Sequence, residues 1–95
     1  MRIRRIVLDV DKAFALPSLL DIAAAIEKVQ GVEGFNISVE DVDQETVSTI
    51  INVEGDNMDY DKLLAAIEKS GAVVHGIIEI VVGDRMVDRQ KRAKK

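Results

Sequence analysis

Apolar and polar residues alternate with a period of two in four stretches of this chain, and recur with a period of about 3.6 in two others. Residues 2–10, RIRRIVLDV, are rich in β-branched side chains. Ile6, Leu8 and Val10 fall on one face, and Arg5, Val7 and Asp9 on the other, which predicts a strand with one buried side. Pro17 then opens a helix, since its fixed φ and missing N–H suit a first turn. Leu19, Leu20, Ile22, Ala23, Ile26 and Val29 trace the helix's apolar stripe, and Gly31 ends it.

Alternation resumes in GFNISVEDV, with Phe35, Ile37 and Val39 inward and Asn36, Ser38 and Glu40 outward. Asp43-Gln44-Glu45 reads as a tight turn, after which TVSTIINVEG returns as a strand with Val47, Ile51 and Val53 inward. Asn57 or Asp59 is placed to cap a second helix by accepting its orphan N–H groups. That helix carries Leu63, Leu64 and Ile67 and ends at Ser70-Gly71. AVVHGIIEIVVG supplies the last strand, closed by Gly83.

Strand, helix, strand, strand, helix, strand with short connections is the order of the ferredoxin-like split β-α-β fold. It predicts an α+β domain: a four-stranded antiparallel sheet ordered 4-1-3-2 with both helices on one face. The near-repeat of IAAAIEKVQGVEG in LLAAIEKSGAVVH fits the pseudo-twofold symmetry of such a fold. The other sheet face then has no cover from its own chain. Alternation places Arg5, Val7, Asp9, Asn36, Ser38, Glu40, Ser48, Ile50, Asn52, His75, Ile77, Glu79 and Val81 there. Val7, Ile50, Ile77 and Val81 would form an apolar patch suited to a partner, and a homo-oligomeric contact is expected across this face or along the sheet edges. The alternative is an ordinary half-solvated antiparallel face.

Ninety-five residues, 47% apolar and 3% aromatic, suffice for one core of aliphatic side chains but not for a roomy buried active site. No apolar run approaches the ~20 residues of a membrane-spanning helix, and the early Asp9 without a small-residue cleavage pattern argues against a signal peptide. The chain has no cysteine, which removes disulfides, thiolate metal sites and cysteine nucleophiles and fits a cytoplasmic protein. The net charge of −4 hides an asymmetry. Residues 1–83 hold seven Lys/Arg against fifteen Asp/Glu, a balance of −8, whereas residues 84–95 hold six against two, a balance of +4. The acidic body should repel a phosphate backbone, so nucleic acid is not an expected partner. The domain is therefore drawn as 1–83, followed by a basic tail expected to be disordered.

A metal site is the sharpest chemical idea. Three segments reach one end of the sheet: the end of the first strand (Asp9, Asp11), the second-to-third-strand turn (Glu40, Asp41, Asp43, Glu45) and the start of the last strand (His75). Hard cations such as calcium and magnesium take oxygen ligands, so Asp9, Asp11, Asp41, Asp43, Glu45 and His75 are the candidate ligands. Asp9 and His75, on adjacent strands, are the leading pair. Acidic residues also gather in turns for solubility and local hydrogen bonding, and DVDQETVSTI lacks the central glycine of an EF-hand. Catalysis finds less support: no GxSxG elbow accompanies His75, the sole histidine, and the glycines form neither GxGxxG nor a P-loop. Tyr60 and the two Phe residues offer no stacking platform for RNA.

VLDV near the start, GVEGFNISVEDVDQET in the middle and GDNMDYDKLLAAIEKSG with VHGIIEIVVG at the end resemble a small archaeal family catalogued as domain of unknown function number 211. The resemblance covers most of residues 3–83. It implies a ferredoxin-like fold, assembly into closed rings and, for some members, divalent-metal binding, with no enzymatic activity established. Asp9, Asp43, Glu45, His75 and Glu79 fall at positions where the family pattern is similar. After Asp9 the chain departs from it, reading VDKAFALPS in place of a Lys-Pro-His-Glu-Pro-like loop, and TVSTI lacks the usual Glu-Asn pair. PSLLDIAAAIEKVQGVEGFNISVEDVD is also similar in rhythm to ACT-type regulatory domains, though the first loop lacks their glycine. The expectation is a non-enzymatic, self-assembling domain, a ring-forming homo-oligomer that holds a divalent cation. The alternative is a sensor that binds an amino-acid-type effector between subunits.

Overall fold

A computed structural model describes residues 1–90 of the chain. Six elements appear in the expected order: β1 (Ile3–Ala13), α1 (Leu19–Glu27), β2 (Val32–Asp43), β3 (Thr46–Gly55), α2 (Tyr60–Lys69) and β4 (Val73–Val82). The sheet is antiparallel throughout and ordered β2-β3-β1-β4, which is the expected 4-1-3-2 read from the other edge. The fold is the α+β ferredoxin-like arrangement.

Local chemistry sets the helix ends. Ser18 caps α1, which leaves Pro17 before the helix instead of in its first turn: the Ser18 hydroxyl accepts from Asp21 N, and the Asp21 carboxylate accepts from Ser18 N, a reciprocal capping box. The helix closes at Glu27, earlier than Gly31, and Val29 packs into the core from the turn beyond it. Asp59 caps α2 by accepting from Lys62 N at 3.1 Å. Asn57, the alternative, sits instead at φ 55 in the preceding turn.

Both helices press on one face. Ile22 and Ile26 of α1 and Leu63 and Ile67 of α2 are fully buried with Ile6, Leu8 and Val10 of β1 and Ile51 and Val53 of β3. α1 lies over β2 and α2 over β4. Thr49 is the polar member of this layer, and its Oγ1 donates to the Val10 carbonyl at 2.8 Å. Lys12, also buried, turns its ammonium to the Ala13 and Phe14 carbonyls at 2.8 and 3.1 Å, so its aliphatic stem fills space while the charge stays satisfied. Leu20, expected in the α1 stripe, is 81% exposed. Leu20 stands two residues from the buried Ile22, about 200° round the helix at 3.6 residues per turn, so it faces away from the sheet.

The expected apolar patch on the open face does not form. β4 pairs with β1 through register shifts between Val7 and Leu8 and between Asp9 and Val10, which leave Ile78 and His75 outside the ladder. Each such bulge resets the two-residue phase of the strand. Ile77 therefore lies opposite Leu8, on the helix-covered side, while Val81 stays opposite Arg5 but is buried. Val7 and Ile50 are half-buried. The exposed aliphatic side chains of β4 instead line its free edge.

Candidate functional site

Strand register arranges the open face in rows. From the hairpin inward, across β2, β3, β1 and β4, these are Asp43–Thr46–Ala13, then Asp41–Ser48–Asp11–Val73, then Ser38–Ile50–Asp9–Gly76, then Asn36–Asn52–Val7–Glu79. Gly34, Glu54, Arg5 and Val81 make the row beyond. A bulge between Val39 and Asp41 drops Glu40 from the ladder and turns Asp41 to this face.

The rows decide what the six candidate ligands can do together. β3 stands between β1 and β2, so Asp11 and Asp41 are separated by two strand spacings, roughly 9–10 Å. Oxygens sharing a calcium ion each lie about 2.3–2.6 Å from it. Asp43 is one row further out, and Glu45 sits in the turn, where its carbonyl accepts from Phe14 N at 2.8 Å. Among the described residues, no three His, Cys, Asp or Glu side chains are grouped closely enough to hold one metal ion. The leading pair also changes. The bulge places Gly76, not His75, opposite Asp9, and His75 Nδ1 stands 3.9 Å from Asp11 Oδ2. That imidazole is 70% exposed.

Arginine organises the far end of the face, a feature the sequence reading missed. Arg5 Nε donates to Glu54 Oε2 at 2.9 Å and its NH1 group to Asp88 at 3.1 Å, with Glu79 at 3.8 Å. The Glu54 hydrogen bond raises the pKa of Arg5 against the opposing effect of partial burial, and Asp88 adds to the rise. Arg2 pairs with Asp56 through two bonds of 2.7 and 3.1 Å and reaches Asp84 at 3.3 Å. The Arg2 hydrogen bond holds the Asp56 carboxyl below the usual carboxylate value. Gly83 N donates to the Arg2 carbonyl at 2.8 Å, so the segment after β4 turns back along β1. The visible signal was an outward-facing arginine in an acidic body. Of the tail expected to be disordered, Lys91, Arg92, Lys94 and Lys95 lie outside the described residues.

On the opposite surface, α1 and α2 leave a shallow groove of about 650 Å³ between them. Its lining includes Asp21, Ala24, Ala25, Lys28 and Val29 from the α1 side and Lys62, Ala66, Lys69 and Ser70 from α2. The internal repeat foretells this pairing. Asp21, Ala25, Lys28 and Val29 occupy the repeat positions of Lys62, Ala66, Lys69 and Ser70, and small residues at the closest approach leave the trough open.

Two layers, one sheet face without helices and, among the described residues, no assembled cation cage define a ferredoxin-like domain. The family model for DUF211, described as an uncharacterized ArCR family, matches residues 4–95. The uncharacterized protein MJ0319 of Methanocaldococcus jannaschii is 36% identical over 86 residues, which is 90% of this chain and 88% of that protein. The chain belongs to the DUF211 family.

Proposed function

We propose that this domain is a non-enzymatic, self-assembling module that works as a homo-oligomeric ring. The observation that carries the reading is β4. It is an edge strand with one side of its main chain unpaired, and Val73, Ile77, Ile78, Ile80 and Val82 are 41% to 60% exposed along it. Monomeric proteins blunt such edges with lysine, proline, β-bulges or a covering segment; β4 has bulges at Ile78 and His75 but no lysine or proline, and its aliphatic side chains stay exposed. A strand of this composition is stable in water when a second copy covers it. Edge pairing satisfies its main-chain groups, and side-chain contact removes apolar surface from water at ~25 cal/mol per Å². The non-enzymatic part rests on the exposure of His75, whose Nδ1 lies 3.9 Å from the Asp11 carboxylate.

The same reading gives a divalent cation, calcium or magnesium, a place between copies. Asp11 offers one carboxylate on the surface beside His75, and a second copy is needed to supply the further oxygen ligands that such a cation takes. Native mass spectrometry before and after chelation tests both parts. The expected result is a discrete oligomer that carries stoichiometric metal, lost with EDTA. A metal-free oligomer would retire the cation, and a monomer at all concentrations would sink the assembly. Ile78→Lys places a charge on the β4 edge outside the ladder and should lower the oligomer's mass with the fold retained by circular dichroism.

A further inference from the structure

Residues 1–83 contain four lysines. Lys12 is consumed internally by the Ala13 and Phe14 carbonyls. The other three, Lys28, Lys62 and Lys69, all line the groove between α1 and α2, are exposed and form no ion pair among the described residues. In a body with a balance of −8, this gathers its unpaired lysine charge at one place. The floor between the lysines is apolar and small, with Ala25, Ala66 and the edge of Val29. Repeat-related positions supply both sides of the trough; the departure is Asp21 opposite Lys62, which leaves three ammonium groups against one carboxylate.

The complementary surface is on the same chain. Ser38 to Thr46, the outer part of the β2–β3 hairpin, is exposed at every residue. It carries Glu40, Asp41, Asp43 and Glu45, which form no ion pair among the described residues, and it also exposes Val39 and Val42. An acidic arm with two aliphatic side chains matches a basic trough with an apolar floor in both sign and polarity.

We propose that the groove between α1 and α2 is the docking site for the β2–β3 hairpin of a second copy of this chain. The proposal rests on the self-assembly reading and names two of the surfaces that meet. Groove and hairpin are different parts of one copy, so the contact is head-to-tail, the kind that closes into a ring or continues as a filament. Opposite charges favour this pairing over contacts between the acidic surfaces of two copies.

Two variants test it. One carries Lys28→Glu, Lys62→Glu and Lys69→Glu; the other carries Asp41→Lys, Asp43→Lys and Glu45→Lys. All six positions are exposed, and circular dichroism with a thermal melt verifies each fold. Light scattering after size exclusion should show each variant alone self-associating about tenfold or more weakly than the wild type, since three ion pairs become three repulsions. An equimolar mixture should recover a large complex, because each arm then finds a groove of opposite sign. Raising salt from about 0.1 M to about 1 M shortens the screening length from ~10 Å to ~3 Å and should weaken the wild-type contact, a readout independent of any variant's folding. Wild-type mass retained by the lysine variant, or by the hairpin variant, overturns the proposal; in the second case the groove takes some other anionic occupant. Failure of the mixture to reassemble overturns it as well. Loss of assembly in Ile78→Lys with both charge variants unaffected leaves self-assembly standing and this contact refuted. A monomeric wild type refutes both.

Discussion

Replacing Gly55 by Ala adds one methyl group at the place where the end of β3 passes the start of β2. A Cβ built on Gly55 would press on the Gly31 carbonyl oxygen and lie 2.9 Å from the Gly31 carbonyl carbon and 3.1 Å from Glu33 N. All three are main-chain atoms. They are held in place by the Asp56 N–H, which donates to the Gly31 carbonyl at 2.9 Å, and by the pairing of Val32 with Gly55. Gly31 itself takes φ +94, a left-handed conformation in which glycine carries no Cβ penalty. Overpacking costs about 1–3 kcal/mol where side chains can yield. Here the backbone must move and the Asp56–Gly31 hydrogen bond must lengthen, so Gly55→Ala should cost about 3 kcal/mol or more. With a urea m-value of roughly 1–1.5 kcal/mol/M for a chain of this size, the midpoint should fall by roughly 2–3 M. The assay is urea unfolding followed by circular dichroism at one fixed protein concentration, because assembly couples stability to concentration. Gly34→Ala and Gly76→Ala are the controls: both glycines lie in strands of the same sheet, and an added Cβ meets nothing within 4 Å at either. They should stay within about 0.5 kcal/mol of the wild type. A Gly55→Ala midpoint indistinguishable from the controls would refute the close-approach argument.

Thr49→Val keeps the shape of a fully buried side chain but deletes the donor to the Val10 carbonyl, and should destabilise by about 1 kcal/mol in the same assay; a neutral result would mean that the bond contributes nothing net. Asp56, with its carboxyl held low by Arg2, contributes stability that is present above the unfolded carboxylate value of about 3.9 and is lost as pH falls through the lower folded value. The stability gap between wild type and Asp56→Asn should therefore narrow between pH 7 and pH 3, and a gap independent of pH would contradict the pairing.

Much of the architecture was legible because period-two and period-3.6 patterns report which side of each element faces the core. Ile6, Leu8 and Val10, Ile51 and Val53, Ile22 and Ile26, and Leu63 and Ile67 were all read as buried from spacing alone, and all are fully buried. Once six elements alternate in this order with short connections, few topologies remain. The candidate cation site was less legible. Asp9, Asp11, Asp41, Asp43, Glu45 and His75 were grouped by the end of the sheet they occupy, yet their separation depends on β3 lying between two of the contributing strands.

By itself the sequence determined the elements, their order, the core faces of β1 and β3, the end of α2 at Ser70-Gly71, and the charge contrast between body and tail, because each follows from a local period or a single side chain's chemistry. Tertiary structure alone decided the phase of β4, the pairing of His75 with Asp11, the arginine contacts to Glu54 and Asp56, and the lysine-lined groove. The strand features depend on which strand positions face one another, and the groove on how α1 packs beside α2. An unpaired residue, His75 or Ile78, flips the face of the side chains that follow it until the next bulge restores the phase, without altering the composition that a sequence pattern records.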